Sequence, residues 1–372
     1  MATPTRLLRP QCLAYTLLRP AYQRWQSTFS HLESELKSRK ISPIFDDLTP
    51  QTSHRLSITL SDFLPSSHSP PSILAPAKPN PPMLPLPHHL VYFEPTKRSS
   101  EMLPDGTNPD QSPGDPFVRR MWAGGRVRYN HSNPFVLDGG RGVCAEFIRS
   151  VSVKGREGEE KVFVSIERRQ AKASAEEVEM AEQARLGEEG VKETLEHRVR
   201  QRLWRDGEED FGVCSVVETR NIVFMRERSK AEAEEQTRRA KGKELRPQQK
   251  ADWKHTMVPD AKLLFRFSAL TFNAHAIHLD PEYCREVEGH RTLLFHGPLS
   301  YVFMITLLQQ RLREAGEEVV KSVEYRNLAP LYAHEPVTFC GTRTGEGRWE
   351  IWTETPEGGV AVKGSVVTEG GK

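Results

Sequence analysis

Cysteine is scarce and badly placed for cross-linking. Cys12, Cys144, Cys214, Cys284 and Cys340 are odd in number and widely spread, and none shows the short paired spacing of a zinc site. Neither a disulfide framework nor a structural metal is expected. Long apolar runs are missing as well: no stretch approaches the ~20 residues that cross a bilayer, so stable membrane insertion is not expected. Net charge is nearly absent, because 52 basic and 50 acidic side chains leave only +2, and no overall field would gather nucleic acid. Apolar residues make up 37% of the 372, which is low for a chain packed throughout. Part of the chain should therefore lie outside a core, and the length allows two domains.

Residues 1–30 carry Arg6, Arg9, Arg19 and Arg24 with no carboxylate before Glu33. A basic, acid-free, amphipathic start reads as a mitochondrial transit peptide, which places the mature protein in the matrix; the alternative is a frayed basic terminus. Residues 31–87 read as a short amphipathic segment, with Leu32, Leu36 and Ile41 on one face, followed by a proline-rich arm over 65–87. A first folded unit is expected over 88–225, with strands near 127–129, 142–153 and 161–166 and a strand pair over 211–224. Charge dominates 168–201 and again the linker 226–256, and both read as solvated helix or disorder. A second unit over 257–372 is expected to hold a strand at 262–267, a helix at 298–313 and four further strands separated by glycine turns. One long helix followed by antiparallel strands is the order of a hot-dog fold. The expected class is α+β: a double hot dog of two antiparallel sheets, with the central helix in the C-terminal unit and a degenerate N-terminal unit.

The chemistry concentrates between Phe265 and Ile305. Asn273, His275 and His278 stand close together, and after a short acidic, aromatic segment His296-Gly297-Pro298 opens an apolar run. Free backbone N–H groups at a helix start point at whatever docks there, so a carbonyl could be seated at Gly297.

The stretch SALTFNAHAIHLDPEYCREVEG followed by LLFHGPLS resembles the MaoC-like, type 2 hydratase/dehydratase family of hot-dog enzymes, and is most similar to its mitochondrial hydroxyacyl-thioester dehydratase type 2 group and the related mesaconyl-CoA hydratases. YFEP, RRMWAGG and SVSVKGREGEEKVFVSIERR resemble the amino-terminal half of those double hot-dog proteins. The resemblance implies an acyl thioester on a phosphopantetheine arm, lying between the two halves, with water added to or removed from the double bond beside the carbonyl. It implies no metal or organic cofactor. In the family pattern an aspartate lies five residues before the catalytic histidine and an asparagine three before it; here those positions are Asn273 and His275, while His278 and Gly297 match.

On this reading His278 removes the proton alpha to the thioester carbonyl, since imidazole titrates near working pH. Asn273 either positions the hydroxyl or serves as a turn residue, because a carboxamide cannot accept a proton as a carboxylate can. His275 is either the missing acid or base or a support for the turn. Gly297 offers its N–H to the developing enolate oxygen or is needed only for the strand-to-helix turn, and His296 shapes that turn. Arg119, Arg120 and Trp122 serve half-to-half packing or contact the phosphates of the carrier arm. Asp280 reads as the N-cap of a short helix. Expected partners are acyl carrier protein or CoA thioesters, with the chain acting as a monomer of two hot-dog units or as a homodimer. Three functions remain open: a (3R)-hydroxyacyl-thioester dehydratase of mitochondrial type II fatty-acid synthesis, a mesaconyl-CoA-type hydratase of short dicarboxylic or branched CoA thioesters, and a non-catalytic acyl-thioester-binding module.

Overall fold

The computed structural model describes residues 29–68, 70–73, 83–229, 231–232, 245–316 and 318–370. The transit-peptide expectation falls almost wholly outside them, as do much of the proline-rich arm and residues 233–244 of the second charged stretch.

Ten strands form one antiparallel sheet, in the order β1-β3-β4-β5-β2-β7-β10-β9-β8-β6. They are β1 (Ile44–Asp47), β2 (Arg119–Tyr129), β3 (Arg141–Lys154), β4 (Lys161–Lys172), β5 (Val216–Met225), β6 (Trp253–Met257), β7 (Glu318–Asn327), β8 (Val337–Gly345), β9 (Arg348–Glu354) and β10 (Val360–Gly370). The first five strands are arranged 1-3-4-5-2, and the last five repeat that arrangement from the opposite edge. The two halves meet where β2 pairs with β7, from Gly124 opposite Arg326 to Arg128 opposite Ser322. That pairing corrects the expectation of two sheets. Gly124 makes it feasible: its φ is +134°, and a Cβ there would lie 2.1 Å from the Tyr325 carbonyl oxygen. The glycines of the RRMWAGG motif thus sit where two backbones must approach.

Helices follow the same duplication unevenly. In the second half α5 (Ala261–Leu270), α6 (Pro281–Glu286) and the 19-residue α7 (Gly297–Ala315) lie between β6 and β7. α7 is apolar nearly all round, as a helix buried against a sheet must be, and Tyr301, Val302, Phe303, Met304 and Ile305 are fully covered. Pro298 stands in its first turn and Gly316, at φ +105°, ends it. In the first half α1 (Leu32–Ser38) precedes β1, and the corresponding interval between β1 and β2 holds α2 (Pro50–Ser61) and short 3-10 turns such as His88–Val91; among the described residues it has no long counterpart of α7. α2 packs on α5 instead.

Several sequence expectations need correction. The amphipathic part of 31–87 also holds a strand, since β1 pairs with β3 and extends the sheet. Residues 262–267 are helical: Asp260 accepts a hydrogen bond from the Leu263 N–H at 2.8 Å, and Leu263, Leu264 and Phe267 bury one helical face. Residues 211–224 contribute one strand, not a pair. Residues 226–256 are not linker throughout, because β6 begins at Trp253 and pairs with β8.

The charged stretch 168–201 departs furthest from expectation. Arg168 and Arg169 are fully buried within β4. Arg168 meets Glu146 at 2.9 Å, Glu218 at 3.4 Å and Glu94 at 3.7 Å, and Arg220 lies 2.9 Å from Glu218. This ionic cluster occupies part of the half that lacks a long helix. Beyond it, α3 (Ala175–Arg185) and α4 (Val191–Leu203) form a hairpin whose stripe of Leu195, Val199 and Leu203 covers Val143, Ala145, Ala171 and Val217 of the sheet. Three apolar positions at four-residue spacing are enough to dock an otherwise charged helix.

Candidate active site

α5 ends at Leu270 with Thr271 as its C-cap, and Phe272 turns the chain with φ +47°. The Asn273 side-chain oxygen then accepts the His275 backbone N–H at 3.1 Å, an Asx turn that aims the chain into the short 3-10 turn Ala276–His278. Asp280 caps α6 by accepting the N–H groups of Glu282 at 2.8 Å and Tyr283 at 3.1 Å, as expected. His278 is therefore held between two capped turns.

The imidazole of His278 is oriented by the Leu294 carbonyl, 2.8 Å from Nδ1. A carbonyl only accepts, so Nδ1 carries the proton and Nε2 keeps its lone pair. Nε2 has no hydrogen-bond partner among the described residues. Burial, with the Arg120 charge adding to it and the Leu294 hydrogen bond opposing, lowers the His278 pKa to about 4. The ring is neutral at neutral pH, as a base must be.

His296 stacks on His278 with ring centroids 3.5 Å apart and planes 20° from parallel, and its Nε2 meets the Ser268 hydroxyl at 2.9 Å. Since His296 immediately precedes Gly297, the stack brings the start of α7 to the His278 ring. Gly297 is the first residue of the helix, so its N–H has no intrahelical acceptor. Only glycine fits without displacement: a Cβ would lie 2.6 Å from Asn327 Nδ2 and 3.6 Å from Trp122 Cβ. The Asn327 amide in turn donates to the Trp122 carbonyl at 2.8 Å.

The structure thus brings His275, His278, His296, Gly297 and Trp122 together. Trp122 belongs to the seam, with Nε1 donating to the Tyr325 hydroxyl at 3.0 Å and the Arg220 guanidinium 5.1 Å over its ring. Arg119 serves half-to-half packing: its Nε lies 2.7 Å from Glu288, and both side chains are buried. Arg120 differs. It is half-buried, donates only a 3.4 Å bond to the Asn108 carbonyl, and no carboxylate lies within ion-pair distance among the described residues. Burial lowers its pKa to about 10, still far above neutrality. Asn273 is committed to its turn through its oxygen.

One residue escaped the sequence reading. Asp105, 7% exposed, comes from the first half, and its Oδ2 lies 3.5 Å from His275 Nε2. By composition alone Pro104-Asp105-Gly106 reads as a turn. Its available signal is the Asp-Gly-Thr sequence, an Asx pattern that fixes the carboxylate, in a chain with Asn273 where the family pattern has an aspartate. Among the described residues no group of histidine, cysteine and carboxylate side chains could hold a metal ion, and no helix is long and apolar enough to cross a membrane.

Comparison with known proteins gives the family. The sequence profile of the hydroxyacyl-thioester dehydratase type 2 family matches residues 87–194 and 186–333. The chain belongs to that family. It is a hydro-lyase by family, and its relatives are named accordingly. The mesaconyl-C(4)-CoA hydratase of Chloroflexus aurantiacus is 29% identical over 285 residues, covering 75% of this chain and 81% of that protein. The mitochondrial hydroxyacyl-thioester dehydratase type 2 of Schizosaccharomyces pombe is 32% identical over 88 residues, 24% of this chain and 29% of that protein. Among solved structures, a MaoC-like dehydratase superposes with a TM-score of 0.53 at 11% identity, over 89% of this chain and 99% of its own, a likeness of fold alone.

Proposed function

We propose that the chain is a (3R)-3-hydroxyacyl-thioester dehydratase, acting reversibly as an enoyl-thioester hydratase, built from two hot-dog units and using His278 as its base. The carrying observation is the His278 ring itself: neutral, anchored through Nδ1, with no partner for Nε2 among the described residues, and stacked on the residue before Gly297. In dehydration Nε2 takes the alpha proton, and negative charge on the thioester oxygen meets the Gly297 N–H at the positive end of α7. The C3–O bond then breaks as His278 returns the proton to the departing hydroxyl, releasing water and a double bond. Hydration runs the same steps backwards. Acyl groups on carrier protein or CoA would both suit this chemistry. The basic start of the chain and the relatedness to a mitochondrial enzyme support the matrix and type II fatty-acid synthesis as its setting.

A second reading, hydration of a short dicarboxylic CoA thioester, is favoured by Arg120, a cation with no carboxylate at ion-pair distance among the described residues, although the Asp105 charge supports it, and whose own charge reaches both His275 and His278. The extended similarity to a mesaconyl-C(4)-CoA hydratase points the same way. Stereospecific hydration of crotonyl-CoA and mesaconyl-C(4)-CoA by the full chain tests both. Turnover of crotonyl-CoA is expected under the first reading and preference for the dicarboxylic thioester under the second. Inertness toward both, and toward crotonyl carrier protein, would refute the proposed activity.

A further inference from the structure

Asp105 is keyed into the active-site turn from the opposite half of the sheet. Its Oδ1 accepts the Thr107 N–H at 2.9 Å and the Thr107 hydroxyl at 2.6 Å, which leaves Oδ2 toward His275 Nε2 at 3.5 Å. Its own carbonyl accepts the Ala276 N–H at 2.9 Å. Gly106, at φ +80°, lies so close that a Cβ would meet the Ala274 carbonyl oxygen at 2.1 Å. Such contacts register the two turns against each other to within a fraction of an ångström. Both side chains of the Asp105–His275 pair are 8% exposed, so water screens their interaction little.

A carboxylate facing one ring nitrogen of a histidine fixes the proton there, because the carboxylate can only accept. At 3.5 Å the pair is a close buried contact and not a formed hydrogen bond, but a carboxylate there favours the His275 tautomer with its proton on Nε2, which leaves the lone pair on Nδ1, for which no hydrogen-bond partner exists among the described residues. The rings of His275 and His278 lie 5.7 Å apart at 84°. Two neighbouring imidazoles can therefore each keep one acceptor nitrogen, with the Leu294 carbonyl hydrogen-bonded to His278 and the Asp105 carboxylate close to His275.

We infer that Asp105 is the active-site carboxylate, a positioning residue supplied by the first half of the chain, which sets the tautomer of His275 so that Nδ1 accepts the hydrogen bond of the substrate 3-hydroxyl or attacking water. The inference rests on the dehydratase reading. No additional proton is moved: the alpha proton passes to His278 Nε2 and from there to the leaving hydroxyl, while His275 holds that hydroxyl with its own O–H turned away from His278. Asn273, at the position of the family's aspartate, is spent on the turn, and Asp105 supplies the charge from elsewhere.

Asp105→Asn isolates the effect. The Asn oxygen can still accept both Thr107 donors, so the turn is kept, but the amide now donates to His275 and forces the proton to Nδ1. A neighbouring carboxylate replaced this way in a Ser-His-Asp enzyme lowers kcat about 10⁴-fold through the same tautomer reversal. Here kcat for crotonyl-CoA hydration is expected to fall at least tenfold with KM within about twofold, and D105N should cause no further loss in a His275→Ala background. Side-chain nitrogen NMR should show His275 protonated at Nε2 in the natural chain and at Nδ1 in the folded variant. An unchanged kcat in folded D105N, an equal loss in both backgrounds, or a Nδ1–H tautomer in the natural chain would overturn the inference. If the natural chain hydrates no enoyl thioester, the functional reading fails, and the NMR result alone still decides whether Asp105 sets the tautomer.

Discussion

Acidification separates the chemistry of this site from the stability of the fold that holds it. His278 titrates at about 4, and an ordinary histidine at 6.5. At about pH 5 a base of pKa 6.5 would be only about 3% neutral and kcat/KM would fall about 30-fold, whereas one of pKa near 4 stays about 90% neutral and activity is almost untouched. Stability behaves oppositely. His88, His89 and His278 each drop from 6.5 to about 4 on burial. A folded pKa below the unfolded one means that the unfolded chain binds protons first. The stabilisation is complete above pH 6.5 and drains away as pH falls from 6.5 toward about 4. At about 1.4 kcal/mol per pKa unit, each ring accounts for on the order of 3 kcal/mol, as an upper value. Urea melts and initial rates on one preparation, between about pH 8 and pH 5, should show the midpoint falling while kcat/KM holds. A kcat/KM profile with its acid limb at the ordinary histidine value would refute the assignment of a buried, neutral His278 as base.

Two substitutions probe the architecture. Arg168→Met removes the cation from among Glu94, Glu146 and Glu218, leaving carboxylates buried beside a single remaining arginine, Arg220. A loss of about 3–5 kcal/mol by urea denaturation is expected, and a change below about 1 kcal/mol would show the cluster to be dispensable. Gly297→Ala puts a methyl 2.6 Å from the Asn327 amide, so either that amide leaves the Trp122 carbonyl or the start of α7 shifts. It should lower kcat tenfold or more, up to the ~3 kcal/mol of a lost oxyanion donor, in a protein that still folds by circular dichroism. Wild-type turnover in the variant would leave Gly297 with only a packing role.

Legibility in the sequence followed the range of the interactions. α7 could be read because its signals are local: Gly297-Pro298 at the start, a long apolar stretch and a following glycine. The Asp280 cap and the close grouping of His275 and His278 were legible for the same reason. α5 was misread because FRFS alternates apolar and polar residues like a strand, while the deciding feature, Asp260 capping a face of Leu263, Leu264 and Phe267, runs at helical period. Arg168 was taken for solvated charge because its compensating carboxylates lie on three other segments. The single sheet depends on β2 meeting β7, and the place of Asp105 depends on the same union of halves, which no local pattern records. Trp122-Ala123-Gly124-Gly125 carried the family resemblance without revealing that its glycines form the seam.

The most direct test is stereospecific hydration of crotonyl-CoA by the natural chain and by His278→Ala, with folding checked by thermal melting. A positioned general base contributes about 10²–10⁴ in rate, so the variant should lose at least a hundredfold in kcat while remaining folded. Turnover within a few-fold of the natural chain would contradict the assignment of His278 as the base.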